Sequence, residues 1–132
     1  MKRNIKFSII VVSLNTKDDF IKTINSILNQ KYYNYEIIVI DGNSSDGTIK
    51  EINKLKNKIK KKIIEKDKGI YHAMNKGIKY INSNLTLFLN SGDILSNKDI
   101  LNKVNLIIQK QKRVDIIVGK NIVQSNFKYY SK

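Results

Sequence analysis

The chain has 132 residues, 41% hydrophobic and 27% charged, which suits one globular domain with a modest core. It contains no cysteine, which excludes disulfide frameworks and cysteine-ligated metal sites. The formal net charge of +14 comes mainly from lysine and has two readings: the drift of an AT-rich genome, seen also in the many Ile and Asn residues, or attraction to anionic lipid or nucleic acid.

Lys6 to Ser13 is a nearly continuous apolar run, as expected for a strand buried on both faces of a parallel sheet. Thr16-Lys17-Asp18-Asp19 resembles a capping box, with Thr16 as N-cap and the acidic pair at the positive end of a helix dipole. Phe20, Ile21, Ile24, Ile27 and Leu28 follow at helical spacing. Tyr35 to Asp41 is a second buried strand, and Asp41 to Gly47 is the longest turn-rich stretch. A second helix is expected from Thr48 to Ile59, with Lys50, Lys54, Lys56 and Lys58 on a solvated face. Residues 62–65 form a short third strand, Glu65 to Gly69 a loop, and Ile70 to Ile81 a helix. Leu85 to Leu89 is a strand closed by Asn90-Ser91-Gly92-Asp93. Ser96 and Asp99 form a second capping-box pair before a helix on Ile100, Leu101, Val104, Ile107 and Ile108. Val114 to Val118 is expected as a fifth strand, and the tail from Lys120 is mixed.

Regular β-α alternation predicts a mostly parallel sheet with helices on both faces. Sites in such sheets lie outside the carboxyl ends of the strands. Three polar turns fall there: Ser13-Leu14-Asn15, Asp41 to Gly47, and Asn90 to Asp93. There is no Gly-x-Gly-x-x-Gly, no Gly-Lys-Thr loop and no Gly-x-Ser-x-Gly elbow, which argues against dinucleotide folds, P-loop nucleotidases and nucleophilic triads. The sole histidine, His72, lies in a helix and reads as partly exposed. What remains is a set of rim carboxylates: Asp41, Asp46, Asp67 and Asp93. Asp46 precedes a helix and suits an N-cap. Asp41 ends a buried strand, where a carboxylate can accept from a base imide or a ribose hydroxyl. Asp93 can hold Mg²⁺ or Mn²⁺, hard cations that share oxygen ligands with phosphates.

Four motifs in order resemble the N-terminal part of family 2 glycosyltransferases: residues 9–15 (IIVVSLN), 26–30 with 36–48 (SILNQ, EIIVIDGNSSDGT), 67–77 (DKGIYHAMNKG) and 88–93 (FLNSGD). The resemblance implies a GT-A-like, Rossmann-like three-layer α/β sandwich with a mostly parallel central sheet. It implies one domain over residues 1–132, the nucleotide-sugar-binding half, ending before the family's acceptor region. It also implies inverting, metal-dependent transfer of a sugar, often from a UDP donor, to a saccharide or lipid-linked acceptor in bacterial surface-polysaccharide synthesis.

By resemblance, Ser13, Asn15, Asp41, Asp67, Lys68 and Ser91 surround the nucleotide sugar, Asn75 helps fix the loop of Asp67, and Asp93 binds the metal. Ser91 stands where the family's Asp-x-Asp motif has its first Asp, which leaves fewer charged groups for the cation. The family's base comes well after that motif, and Asp115 is too early to be it, so no catalytic base is assigned within the chain. The alternatives are a non-catalytic nucleotide-binding remnant and a basic module argued from charge alone. The lysine face lacks the interleaved aromatics of single-strand binders, so no nucleic-acid partner is expected. No apolar run approaches the ~20 residues of a membrane span, and the N-terminus does not read as a signal peptide. The expected location is cytoplasmic, with peripheral contact at the inner membrane face and self-association through an uncovered sheet edge.

Overall fold

The computed structural model describes residues 4–120. Eight elements alternate in chain order: β1 (Phe7–Ser13), α1 (Lys17–Leu28), β2 (Tyr35–Asp41), α2 (Thr48–Lys54), β3 (Lys61–Ile64), α3 (Ile70–Ile78), β4 (Leu85–Asn90) and α4 (Ile100–Lys110). The strands form one parallel sheet in the order β3-β2-β1-β4. β1 is central and buried along its whole length, which is why its sequence is an apolar run rather than an alternation.

Side-chain alternation divides the core into two layers. Phe7, Ile9 and Val11 of β1, with Ile37 and Val39 of β2, meet Phe20, Ile24 and Ile27 of α1, Ile52 of α2 and Leu101 of α4. Ile10, Val12, Ile38 and Ile40 face the other way, onto Ala73 and Met74 of α3. Each fully buried side chain of this size contributes about 1.5–3 kcal/mol. α3 lies close to the sheet because Gly77 has no side chain: a Cβ there would stand 2.8 Å from Ile10 Cγ2.

At the amino end of the sheet, Glu36 is 7% exposed and gathers four donors. Ser8 Oγ lies at 2.6 Å, the Asn82 amide at 2.9 Å, Lys6 Nζ at 2.7 Å and Lys60 Nζ at 3.0 Å. Burial disfavours the carboxylate, but the bonds from Lys6, Ser8, Lys60 and Asn82 outweigh it and bring the pKa down to about 2. One side chain thereby ties β1, β2, the start of β3 and the α3–β4 connection.

The structure departs from the expected elements in four places. Val114 to Val118 forms no strand: Ile116 is 81% exposed and Val118 87% exposed, so the sheet has four strands among the described residues. β-propensity acts through packing on neighbours, and of this segment only Val114 and Ile117 are even partly buried. α2 stops at Lys54, although Leu55 and Ile59 still pack on the core through tight turns. α3 stops at Ile78, with Ile81 against the second layer. Neither capping box forms. Thr16 Oγ1 is buried without a partner, and the Lys17 amide goes to Asp46 Oδ2 at 2.9 Å. At α4 the N-cap is Asp99, without a side-chain cap, and the Leu101 amide is taken by buried Gln30 Oε1 at 3.1 Å. Long-range side chains have replaced the local caps in both helices. Of the tail, residues 121–132 lie outside the described residues.

Candidate nucleotide-sugar site

Strand register builds the rim. Ser13 pairs with Asp41, Val12 with Asn90, and Asp41 with Ile64, so the turns after all four strands open at the same end of the sheet. Asp41 and the Asp93 turn therefore share one edge, as the alternation predicts.

The first two turns are locked together. Asp41 is fully buried, and its carboxylate accepts from Ser13 Oγ, Ser44 Oγ and the Ser44 amide, each at 2.7 Å. Ser44 Oγ in turn accepts the Asn15 amide at 2.8 Å, and Asn15 Oδ1 accepts the Ser45 amide at 2.7 Å. This exchange holds Asn15 at φ 50° and Asn43 at φ 70°, conformations that Asn tolerates better than most residues. Asp46 is not the N-cap of α2, which is Gly47; from one residue earlier its Oδ1 accepts the Thr48 amide at 3.0 Å, while its Oδ2 accepts the Lys17 amide at the start of α1. The Thr48 hydroxyl bond, with the amides of Lys17 and Thr48, holds the Asp46 pKa below the usual carboxylate range. Ser13 is as buried as Asp41, so both residues face the protein; Asn15 is exposed. A ligand reaching the Asp41 carboxylate would have to displace Ser13 or Ser44.

Asp67 is placed differently. Its Oδ2 lies 3.1 Å from where a Cβ of Gly42 would stand, above the turn after β2, and its Oδ1 accepts the Gly69 amide at 3.0 Å. A side chain at position 42 would press on Asp67 and on Leu14, whose Cδ1 also lies 3.1 Å from that point. The Lys68 amide donates to His72 Nδ1 at 2.8 Å, and an imidazole that accepts at Nδ1 carries its proton on Nε2. Lys76 Nζ holds the Lys66 carbonyl at 3.0 Å and Glu65 at 3.0 Å. Lys76 and His72 thus secure the loop of Asp67 and Lys68. Asn75, expected in that task, is exposed, and its side chain makes no hydrogen bond among the described residues. A lysine and a histidine in the helix following a short loop were the available signal, since both can reach back to its open backbone groups.

The turn after β4 is anchored on α1. The Ser91 amide donates to the Val12 carbonyl at 2.9 Å, Gly92 N to Thr23 Oγ1 at 2.9 Å, and Leu95 N to Ser26 Oγ at 3.1 Å. Gly92 has φ 103°, a conformation suited to glycine. Asp93 is exposed, with Oδ2 accepting the Asn90 amide at 3.0 Å. Beside it, Asn90 Oδ1 and Ser91 Oγ are buried without hydrogen-bond partners. A carboxylate with two unpaired neutral oxygens nearby fits a hard divalent cation. Among the described residues no group of three or more His, Cys, Asp or Glu stands together to hold a metal, and phosphate oxygens of a bound diphosphate are ligands that such a cation accepts. A cleft of about 400 Å³ lies between α1 and residues 94–98, lined by Lys22, Asn25, Ser26, Leu95 and Lys98 among others, with no carboxylate.

A parallel sheet with these turns at its carboxyl rim is a GT-A-like α/β fold. The sequence matches the family model "Glycosyl transferase family 2" over residues 8–132, and the chain belongs to that family. No curated protein matches it. Among solved structures, S. aureus TarS 1–349 in complex with UDP-GlcNAc is similar with TM-score 0.74 and 25% identity, covering 93% of this chain and 38% of TarS 1–349. The mannosyltransferase PcManGT from Pyrobaculum calidifontis, in complex with GDP-Man and Mn²⁺, has TM-score 0.71 and 20% identity, covering 78% of this chain and 32% of its own. At that identity the likeness is one of fold. The chain spans about two fifths of TarS 1–349 and about a third of the mannosyltransferase. No helix among the described residues is long and apolar enough to cross a membrane.

Proposed function

We propose that the chain binds the nucleoside diphosphate part of a nucleotide-sugar donor at this rim and serves an inverting glycosyltransferase reaction to an acceptor hydroxyl. The observation that carries the reading is Asp93 at the end of β4, with unpartnered Asn90 Oδ1 and Ser91 Oγ beside it. Those three residues would hold Mg²⁺ or Mn²⁺. When bound, the cation acts as a Lewis acid on the leaving diphosphate. Asp67, over Gly42, is the open carboxylate suited to accept an N–H of the base, and exposed Lys68 adds positive charge for phosphate. Asp41 and Ser13 form the floor beneath, and Asn15 orders the loop above it. TarS, crystallised with UDP-GlcNAc, supports a UDP-sugar donor. The saccharide or lipid-linked acceptor and a place in bacterial surface-polysaccharide synthesis rest on the resemblance of the sequence motifs alone.

Melting of the 132-residue chain tests the reading. UDP with Mn²⁺ is expected to raise the melting temperature more than UDP alone; at a hundredfold excess over Kd the gain is about 2.7 kcal/mol. No shift with UDP, GDP or their sugars, with or without metal, would remove it.

A further inference from the structure

We propose that the β3 edge of the sheet docks on an anionic lipid bilayer. The proposal does not depend on the nucleotide reading; of the lysines it uses, only Lys68 is also placed at the nucleotide rim. Residues 50–68 carry nine lysines and three carboxylates, and all nine lysines are exposed.

Three elements bring this charge to one place. β3 pairs only with β2 and is an edge strand. Lys62 Nζ bonds Asn53 Oδ1 of α2 on one side of it. On the other side, Lys61 Nζ lies 4.7 Å from the centre of the Tyr80 ring, and Lys60 Nζ donates to the Tyr80 carbonyl at 3.2 Å. Lys56 and Lys58 stand in the connection that leads into the strand.

The neighbouring acids are already engaged: Glu51 with Lys54 at 2.9 Å, Glu65 with Lys76 at 3.0 Å, and Glu36 with Lys60 at 3.0 Å. Other carboxylates, Asp41, Asp46, Asp67 and Asp93, collect at the carboxyl rim. Nine lysines against three carboxylates leave residues 50–68 with a formal net charge of +6. One or two lysines suffice to keep an edge strand from pairing with another chain. β3 itself carries two, Lys61 and Lys62; the other seven lie on α2, in the connection before the strand and in the loop after it, where edge protection does not call for them.

The chemistry favours lipid over nucleic acid. Every cation in residues 50–68 is lysine and none is arginine, the residue suited to bidentate phosphate and base contacts. Compact ammonium groups spread along a strand edge match the diffuse potential of a bilayer. Tyr80, partly exposed beside Lys61, suits the headgroup level.

The test is cosedimentation of the full chain with vesicles of equal parts phosphatidylglycerol and phosphatidylcholine, against phosphatidylcholine alone, at low and high salt. Binding is expected to the anionic vesicles alone and to fall with salt. Each lysine near such a surface is worth about fivefold in partition, so Lys56/Lys58/Lys61/Lys62→Gln should lose roughly 100-fold or more. The same charge removed at Lys98/Lys103/Lys110/Lys112→Gln should change it less than about threefold. Lys56/Lys58→Gln, which leaves the β3 contacts in place, should lose about 25-fold and guards against a folding defect in the quadruple variant. Equal losses from both quadruple sets would overturn the proposal. So would binding to neutral vesicles, or tighter binding of a short DNA duplex through the same four lysines.

Discussion

Ser13 Oγ donates to Asp41 Oδ2 at 2.7 Å across the paired ends of β1 and β2, and the same oxygen accepts Ser44 Oγ at 2.7 Å. The rim is thus built on a buried carboxylate whose partners are all protein groups. Asp41→Ala would leave two hydroxyls and one amide without their acceptor. Unsatisfied buried groups cost about 1–3 kcal/mol each, so a loss of about 3 kcal/mol or more is expected in denaturant unfolding. UDP binding should weaken with or without metal, because both loops above the floor lose their anchor.

Asp93 lies in the exposed part of the same rim and predicts a different phenotype. Asp93→Ala should keep nearly all the stability and the metal-independent UDP shift, and lose the additional shift with Mn²⁺. Calorimetric titration of Mn²⁺ in the presence of UDP measures this directly. A metal-dependent shift that survives the substitution would remove Asp93 from the metal site.

Glu36 governs stability in acid. Its folded pKa of about 2 lies below the ordinary 4.5, so its contribution is fully present above about pH 4.5 and is lost as pH falls toward 2. The shift corresponds to roughly 3 kcal/mol. Glu36→Gln should be less stable than the parent at neutral pH and should lack this part of the acid dependence. Unfolding midpoints from pH 2 to 6 would show the two curves converging at the acid end.

Gly77→Ala tests the close approach of α3 to the sheet. A helix interior ordinarily gains up to about 1 kcal/mol from this change. Here the added methyl meets Ile10 Cγ2 at 2.8 Å and Cδ1 at 3.0 Å, in the most buried part of the second layer. Overpacking of this kind costs about 1–3 kcal/mol, so the variant should melt lower than the parent.

Sugar transfer by residues 1–132 alone is expected to be very weak. Among the described carboxylates at the rim, Asp41 and Asp46 are engaged by the protein. Asp115 pairs with Arg113 at 3.1 Å on an exposed segment. A positioned base contributes about 10²–10⁴-fold. A transfer assay with several UDP-sugars checks this; rapid turnover would require a base among these residues.

The sequence by itself determined the alternation of strands and helices, because buried parallel strands write themselves as apolar runs such as Ile9 to Val12. It also determined which turns meet, since parallel strands place all their carboxyl ends at one rim. Motif order carried the family. Boundaries and caps were not legible there. Thr16 does stand at the N-cap of α1, yet its hydroxyl caps nothing, and Asp46, thirty residues on, takes the Lys17 amide, because register brings the β2 turn onto the start of α1. Val114 to Val118 has strand composition, yet it pairs with no strand among the described residues and leaves Ile116 and Val118 in solvent. Only the tertiary structure separated the rim carboxylates into a buried anchor, Asp41, and open groups, Asp67 and Asp93. That distinction depends on which hydroxyls and amides converge on each oxygen, and convergence across distant segments leaves no local pattern in the chain.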